Sequence, residues 1–188
     1  MDIQLQQQST KSVILLHEIY GVNEHMAYYA QAMHAKGYDV YVPNLLQRAT
    51  PFSYEEEQQA YNYFVDCIGF EDAKQQVLTC INRLAEKYST IQLVGFSIGA
   101  TIAWLCSDHP AIQKVICFYG SRIRQYTDLK PTAETLLIFG DKEASFNPYD
   151  LKEALAMHSN VQFHIVNAEH GFTDPFNPKY QKQLTGNS

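Results

Sequence analysis

What the 188-residue sequence lacks narrows its class before any motif is read. Apolar runs such as Val13 to Leu16 are far too short to span a bilayer, and Met1-Asp2-Ile3-Gln4 has neither the basic nor the apolar region of a secretion signal. A cytoplasmic protein with no membrane partner is expected. Basic residues are few, 14 Lys and Arg against 20 Asp and Glu, and they form no cluster. The formal charge of -6 therefore argues against nucleic acid as a partner and fits a role in solubility. Cysteine is confined to Cys67, Cys80, Cys106 and Cys117, widely spaced in apolar or helical contexts, which favours buried thiols over a disulfide framework or zinc site. Internal repeats and low-complexity linkers are also missing, so one domain over residues 1–188 is expected.

What is present is enough for a packed core: 46% apolar residues, with 13 Tyr and 10 Phe. Short strand-like runs alternate with helical stretches. Ile3 and Leu5 alternate like an edge strand, and Ser12 to His17 reads as a strand buried on both faces. His25 to Lys36 is helical in composition and Gly37 stops it before a strand at Tyr38 to Pro43. Asn44 to Pro51 reads as a loop. Ser53-Tyr54-Glu55-Glu56 resembles a capping box, and helical stretches follow to about Lys87, broken near Gly69. Strands are expected at Ile91 to Gly95, Lys114 to Tyr119, Thr135 to Phe139 and Val161 to Val166, with helices after Ser97 and at about Asp150 to His158. This order implies an α/β fold: a mainly parallel sheet of about six to eight strands between helices on both faces, in three layers.

One turn carries chemistry. Gly95-Phe96-Ser97-Ile98-Gly99 fits the G-x-S-x-G nucleophile elbow, in which glycines crowd a serine on a strand-to-helix turn and the helix N-terminus faces the reaction centre. The bare pattern recurs by chance in roughly one chain in twenty of this length. Its context, a strand before and a helix after, is what gives it weight. A serine needs a positioned base, and of seven histidines His170 follows the last strand at the carboxyl end of the sheet, where catalytic loops gather. His34 and His158 sit on helical stretches, His109 precedes Pro110, and His164 lies within a strand. Two acids, Asp141 and Glu143, compete to orient the imidazole. Glu143 is preferred because it lies three residues beyond Gly140 with a longer arm, leaving Asp141 as the alternative.

His17-Glu18-Ile19-Tyr20-Gly21-Val22-Asn23, the elbow, the Gly140 segment and His170-Gly171-Phe172 together resemble the dienelactone hydrolase family of α/β-hydrolases, over nearly the whole chain. The resemblance implies an oxyanion hole from the backbone N–H groups of Ile19 and Ile98 and places Glu18 against the nucleophile. Dienelactone hydrolase itself has cysteine where this chain has Ser97, so His170 must serve as base during attack. The family enzyme gathers its substrate carboxylate with two arginines and a tyrosine. Here Tyr61 matches the tyrosine, whereas Glu57 and Asp174 stand where the arginines would be, reversing both charges. An anionic dienelactone should then be a poor substrate, with neutral or cationic esters preferred. The chain ends at Pro178 to Ser188 without an obvious final helix, and apolar surface left bare there could support a homodimer rather than a monomer.

The resulting expectation is a serine hydrolase of small carboxylic esters, with thioesters or lactones possible, without cofactor or metal: His17-Glu18 is followed by Gly21 where H-E-x-x-H requires histidine. A non-catalytic scaffold on the same fold is the alternative, because fold alone does not establish function.

Overall fold

A computed structural model describes residues 2–184. Residues 1 and 185–188 lie outside the described residues, and with them part of the terminal segment read above as lacking a helix. Within that segment a short 3-10 turn covers Lys182–Leu184.

Seven strands form one sheet in the order β1-β3-β2-β4-β5-β6-β7, where β1 is Ile3–Leu5, β2 Lys11–Leu16, β3 Asp39–Val42, β4 Thr90–Phe96, β5 Ile112–Phe118, β6 Glu134–Lys142 and β7 Val161–Glu169. Only β1 runs antiparallel, at the edge against β3. The alternating Ile3 and Leu5 suit that position, and the apolar Val13 to Leu16 is completely buried. Helix α1 (Glu24–Ala35) links β2 to β3, whereas α2 (Glu57–Tyr63), a π-helical turn (Phe64–Ile68) and α3 (Gly69–Ala85) carry the chain back across β2 to β4. Right-handed crossovers running in opposite directions put α1 on one face and α3 on the other, where α3 packs on α4 (Ile98–Leu105). The direction of winding therefore reverses at β2, and the carboxyl ends of β2 and β4 open a crevice there.

Local chemistry explains the boundaries. The Asn23 side chain caps α1 by accepting from the Met26 amide, and Gly37 follows at φ +90°, a left-handed conformation that side chains resist. Ser53 N donates to the Glu56 carboxylate at 2.7 Å, the reciprocal arm of a capping box.

Several expectations need correction. Helix α5 spans only Pro148–Ala154, with His158 beyond it, because Asn147 and Pro148 start it early and Leu155 ends it. The strands expected to end at Phe139 and Val166 run further, since β6 and β7 go on pairing to Lys142 and Glu169 across a bulge. Cys80, Cys106 and Cys117 are buried as expected, but Cys67 is exposed on the π-helical turn. Among the described residues no helix is long and apolar enough to cross a membrane.

Candidate active site

The elbow is built by close approach of backbone. A Cβ on Gly95 would lie 2.2 Å from the Gly99 carbonyl oxygen, and one on Gly99 would lie 2.2 Å from that of Leu16, so neither position admits a side chain. Between them Ser97 is held at φ 53° and ψ -114°, a strained conformation that lifts its side chain off the end of β4. The Ser97 amide donates to Phe118 O at 3.0 Å, tying the turn to β5.

The structure brings His170 and Glu143 to this serine. The His170 Nε2 lies 3.0 Å from Ser97 Oγ, and its Nδ1 lies 2.8 Å from the Glu143 carboxylate. A carboxylate only accepts, so Nδ1 carries the hydrogen and Nε2 is left to accept from the serine hydroxyl. Burial by itself would lower the His170 pKa. The hydrogen bond and charge of Glu143, with a further contribution from Glu18, outweigh burial and the opposing Lys179, and hold it above the ordinary value. Glu143 is reached only because its side chain folds inward, 2% exposed, while the imidazole stays 37% exposed at the cavity. Asp141 acts elsewhere, accepting from the Ala168 amide at 3.1 Å and so bracing β7.

Beyond β2 the chain turns sharply, with Gly21 N donating to Glu18 O at 3.2 Å. His17, fully buried, fixes this turn. Its Nδ1 is 2.6 Å from Glu18 O and its Nε2 accepts from Leu45 N at 2.9 Å, and burial pushes its pKa down to about 4. The neighbouring Ile19 lines the same cavity as Ser97, and Ile98 opens α4. Among the described residues, neither the Ile19 nor the Ile98 amide donates to a protein atom.

The cavity above the serine measures about 270 Å³ and is lined by Glu18, Tyr20, Tyr54, Glu57, Ser97 and His170, among others. Depressions of about 670 and 510 Å³ elsewhere contain neither Ser97 nor His170, so chemistry rather than size identifies the site. Glu18 and Glu57 are therefore in the wall as read from the sequence. Tyr61 and Asp174 are not. Tyr61 is engaged by the Arg122 guanidinium, which donates to its hydroxyl, and Asp174 is sealed behind Tyr54, whose hydroxyl donates to it at 2.5 Å.

Sequence reasoning missed His25. Its Nδ1 lies 4.0 Å from a Glu18 oxygen and 3.9 Å from an Asp174 oxygen, and its ring packs edge-on against Phe96 and Tyr29. Burial lowers its pKa to about 3, so it is neutral, while burial first and Asp174 and Glu57 further raise Glu18 to about 7 against the opposing pull of His170 and Tyr119. The only available signal was its position one residue into α1, just past the conspicuous Glu18 loop. Glu18, His25 and Asp174 form the single cluster of possible metal ligands among the described residues. The separations of His25 Nδ1 from the two carboxylates exceed the roughly 3.3 Å between ligands on tetrahedral zinc, and the buried His25 Nε2 lacks the partner that a ligating histidine normally keeps.

Comparison with known proteins identifies the family and the fold. The sequence profile of the dienelactone hydrolase family matches residues 3–187. YczH of Bacillus subtilis, an uncharacterized protein, is 36% identical over 174 residues, covering 92% of this chain and 85% of YczH. A dienelactone hydrolase-like promiscuous phosphotriesterase from metagenomic libraries superposes with a TM-score of 0.74 at 16% identity, covering 96% of this chain and 82% of its own. An esterase of Pyrococcus furiosus superposes with a TM-score of 0.70 at 17% identity, covering 92% and 79%. These two structural likenesses show a shared fold.

Proposed function

Because this chain belongs to the dienelactone hydrolase family, an α/β-hydrolase family acting on esters, we propose that it hydrolyses small carboxylic esters through Ser97, His170 and Glu143. The observation that carries this reading is the continuous hydrogen-bond chain from Ser97 Oγ through His170 to Glu143. Ser97 Oγ attacks the acyl carbon as its proton passes to His170 Nε2, and the amides of Ile19 and Ile98 receive the oxyanion. Each such donor is worth about 3 kcal/mol in the transition state. Glu143 keeps the correct tautomer and stabilises the imidazolium that forms. Collapse of the tetrahedral intermediate breaks the ester C–O bond, the alkoxide takes the proton from Nε2, and an acyl-enzyme remains. Water then attacks with His170 again as base, releasing the acid and restoring Ser97.

The cavity argues against the family's namesake anion as substrate. Glu57 stands in its wall, and Tyr61, whose hydroxyl accepts from Arg122, does not line it.

A fluorophosphonate probe should label wild type but not Ser97→Ala, with turnover of p-nitrophenyl acetate lost in the same variant. Absence of both labelling and turnover in wild type would favour a non-catalytic scaffold.

A further inference from the structure

The proposed ester hydrolysis leaves open which esters are taken, and the cavity wall bears on this. We propose that the site selects esters carrying a compact cationic group, such as an ammonium or quaternary ammonium, held between the carboxylates of Glu18 and Glu57 and the rings of Tyr20 and Tyr54. This inference rests on the hydrolase reading and narrows it.

Three observations converge. First, the cavity that holds Ser97 and His170 is walled by two carboxylates and two electron-rich rings, and those rings meet edge to face at 4.8 Å and 69°. Aromatic rings with nearby carboxylates favour organic cations over neutral groups of the same shape. Second, the negative charge is concentrated. Asp174 lies just behind the wall, its oxygen 3.9 Å from the same His25 nitrogen that Glu18 approaches at 4.0 Å. The Tyr20 hydroxyl senses all three: burial first, then Glu57, Glu18 and Asp174, hold it protonated far above the ordinary tyrosine range. Third, the protein's own cations are engaged with other groups. His25 is neutral, Arg122 is engaged with the Tyr61 hydroxyl, and Lys179 at the cavity edge pairs with Glu169 at 3.5 Å. Of the two wall carboxylates Glu57 is exposed and Glu18 is buried, and a bound cation relieves the cost of burying charge on Glu18 in a way an uncharged substrate does not. The cavity, about 270 Å³, admits only a small group.

Two isosteric pairs test this: acetylcholine against 3,3-dimethylbutyl acetate, and the p-nitrophenyl ester of 4-(trimethylammonio)butanoate against that of 5,5-dimethylhexanoate. In at least one pair the cation should show kcat/KM about tenfold higher or more, a preference that shrinks with added salt and falls severalfold in Glu57→Gln. Parity or preference for the neutral ester in both pairs overturns the inference while leaving the hydrolase reading intact. Should wild type cleave none of the four, binding decides: by calorimetry Ser97→Ala should bind choline but not 3,3-dimethylbutanol, and Ser97→Ala/Glu57→Lys should bind neither. Choline binding without any turnover would sink the hydrolase reading and keep the cation site; no choline binding would sink the cation site.

Discussion

His170 is held in tension between burial, which disfavours its charge, and Glu143, which favours it, and Glu143 prevails. Since only neutral imidazole can accept the serine proton, kcat/KM of the proposed hydrolase should rise with pH through a midpoint above 6.5. Glu143→Gln removes the two largest contributions that raise the pKa, leaving only that of Glu18. Its midpoint should move to lower pH, and its plateau should drop on the order of a thousandfold or more. Asp141→Asn, whose side-chain oxygen can still accept from the Ala168 amide, should keep the wild-type midpoint. Equal displacement of the profile in both variants would transfer the orienting role away from Glu143.

At the scale of elements, the turn from β4 into α4 is made by exclusion of volume, whereas the turn after α1 is made by backbone conformation. Gly99→Ala must push a methyl into the Leu16 carbonyl, and Gly37→Ala meets nothing within 4 Å but must adopt φ +90°. Gly37→Ala should therefore cost about 1 kcal/mol with activity retained, and Gly99→Ala several times more with esterase activity lost, as read from urea midpoints and p-nitrophenyl acetate turnover. Loss of activity in Gly37→Ala would argue against that division. The same contrast explains what was legible in the sequence. The elbow, the capping box at Ser53 and the Gly37 stop were readable because local stereochemistry demands those residues there. The continuation of β6 and β7 was not, because their pairing through Lys142 and Glu169 is a tertiary matter that overrides turn-like Gly140-Asp141. His25 was equally hidden: its burial depends on Phe96 and Tyr29, which reach it from other parts of the fold and from the next turn of α1. Tyr61 was placed in the site by the family resemblance, but the structure gives its hydroxyl to Arg122 from beyond β5.

Over the whole molecule, buried titratable groups couple folding to pH. His17 has a folded pKa of about 4 against an ordinary 6.5, so below pH 6.5 the unfolded chain takes up a proton that the native protein refuses. Stability from this group is complete above pH 6.5 and is lost as pH falls toward 4, at about 1.4 kcal/mol per pH unit. His25 acts with the same sign. Glu18, raised to about 7, opposes them by favouring the native state as pH falls from about 7 toward 4.5. The difference between wild type and His17→Gln isolates one group. The stability advantage of wild type should narrow by about 2 kcal/mol between pH 7 and pH 5 in denaturant titrations, and a constant gap would refute the assignment. Three of the four thiols are shut inside this same interior, which leaves Cys67 alone at the surface. It sits on the π-helical turn directly after α2, the helix that carries Glu57. The native sequence thus offers a single-site handle: a maleimide fluorophore attached there would sit four residues past the end of α2, positioned to report whether that helix shifts when the cavity fills, with no cysteine added or removed.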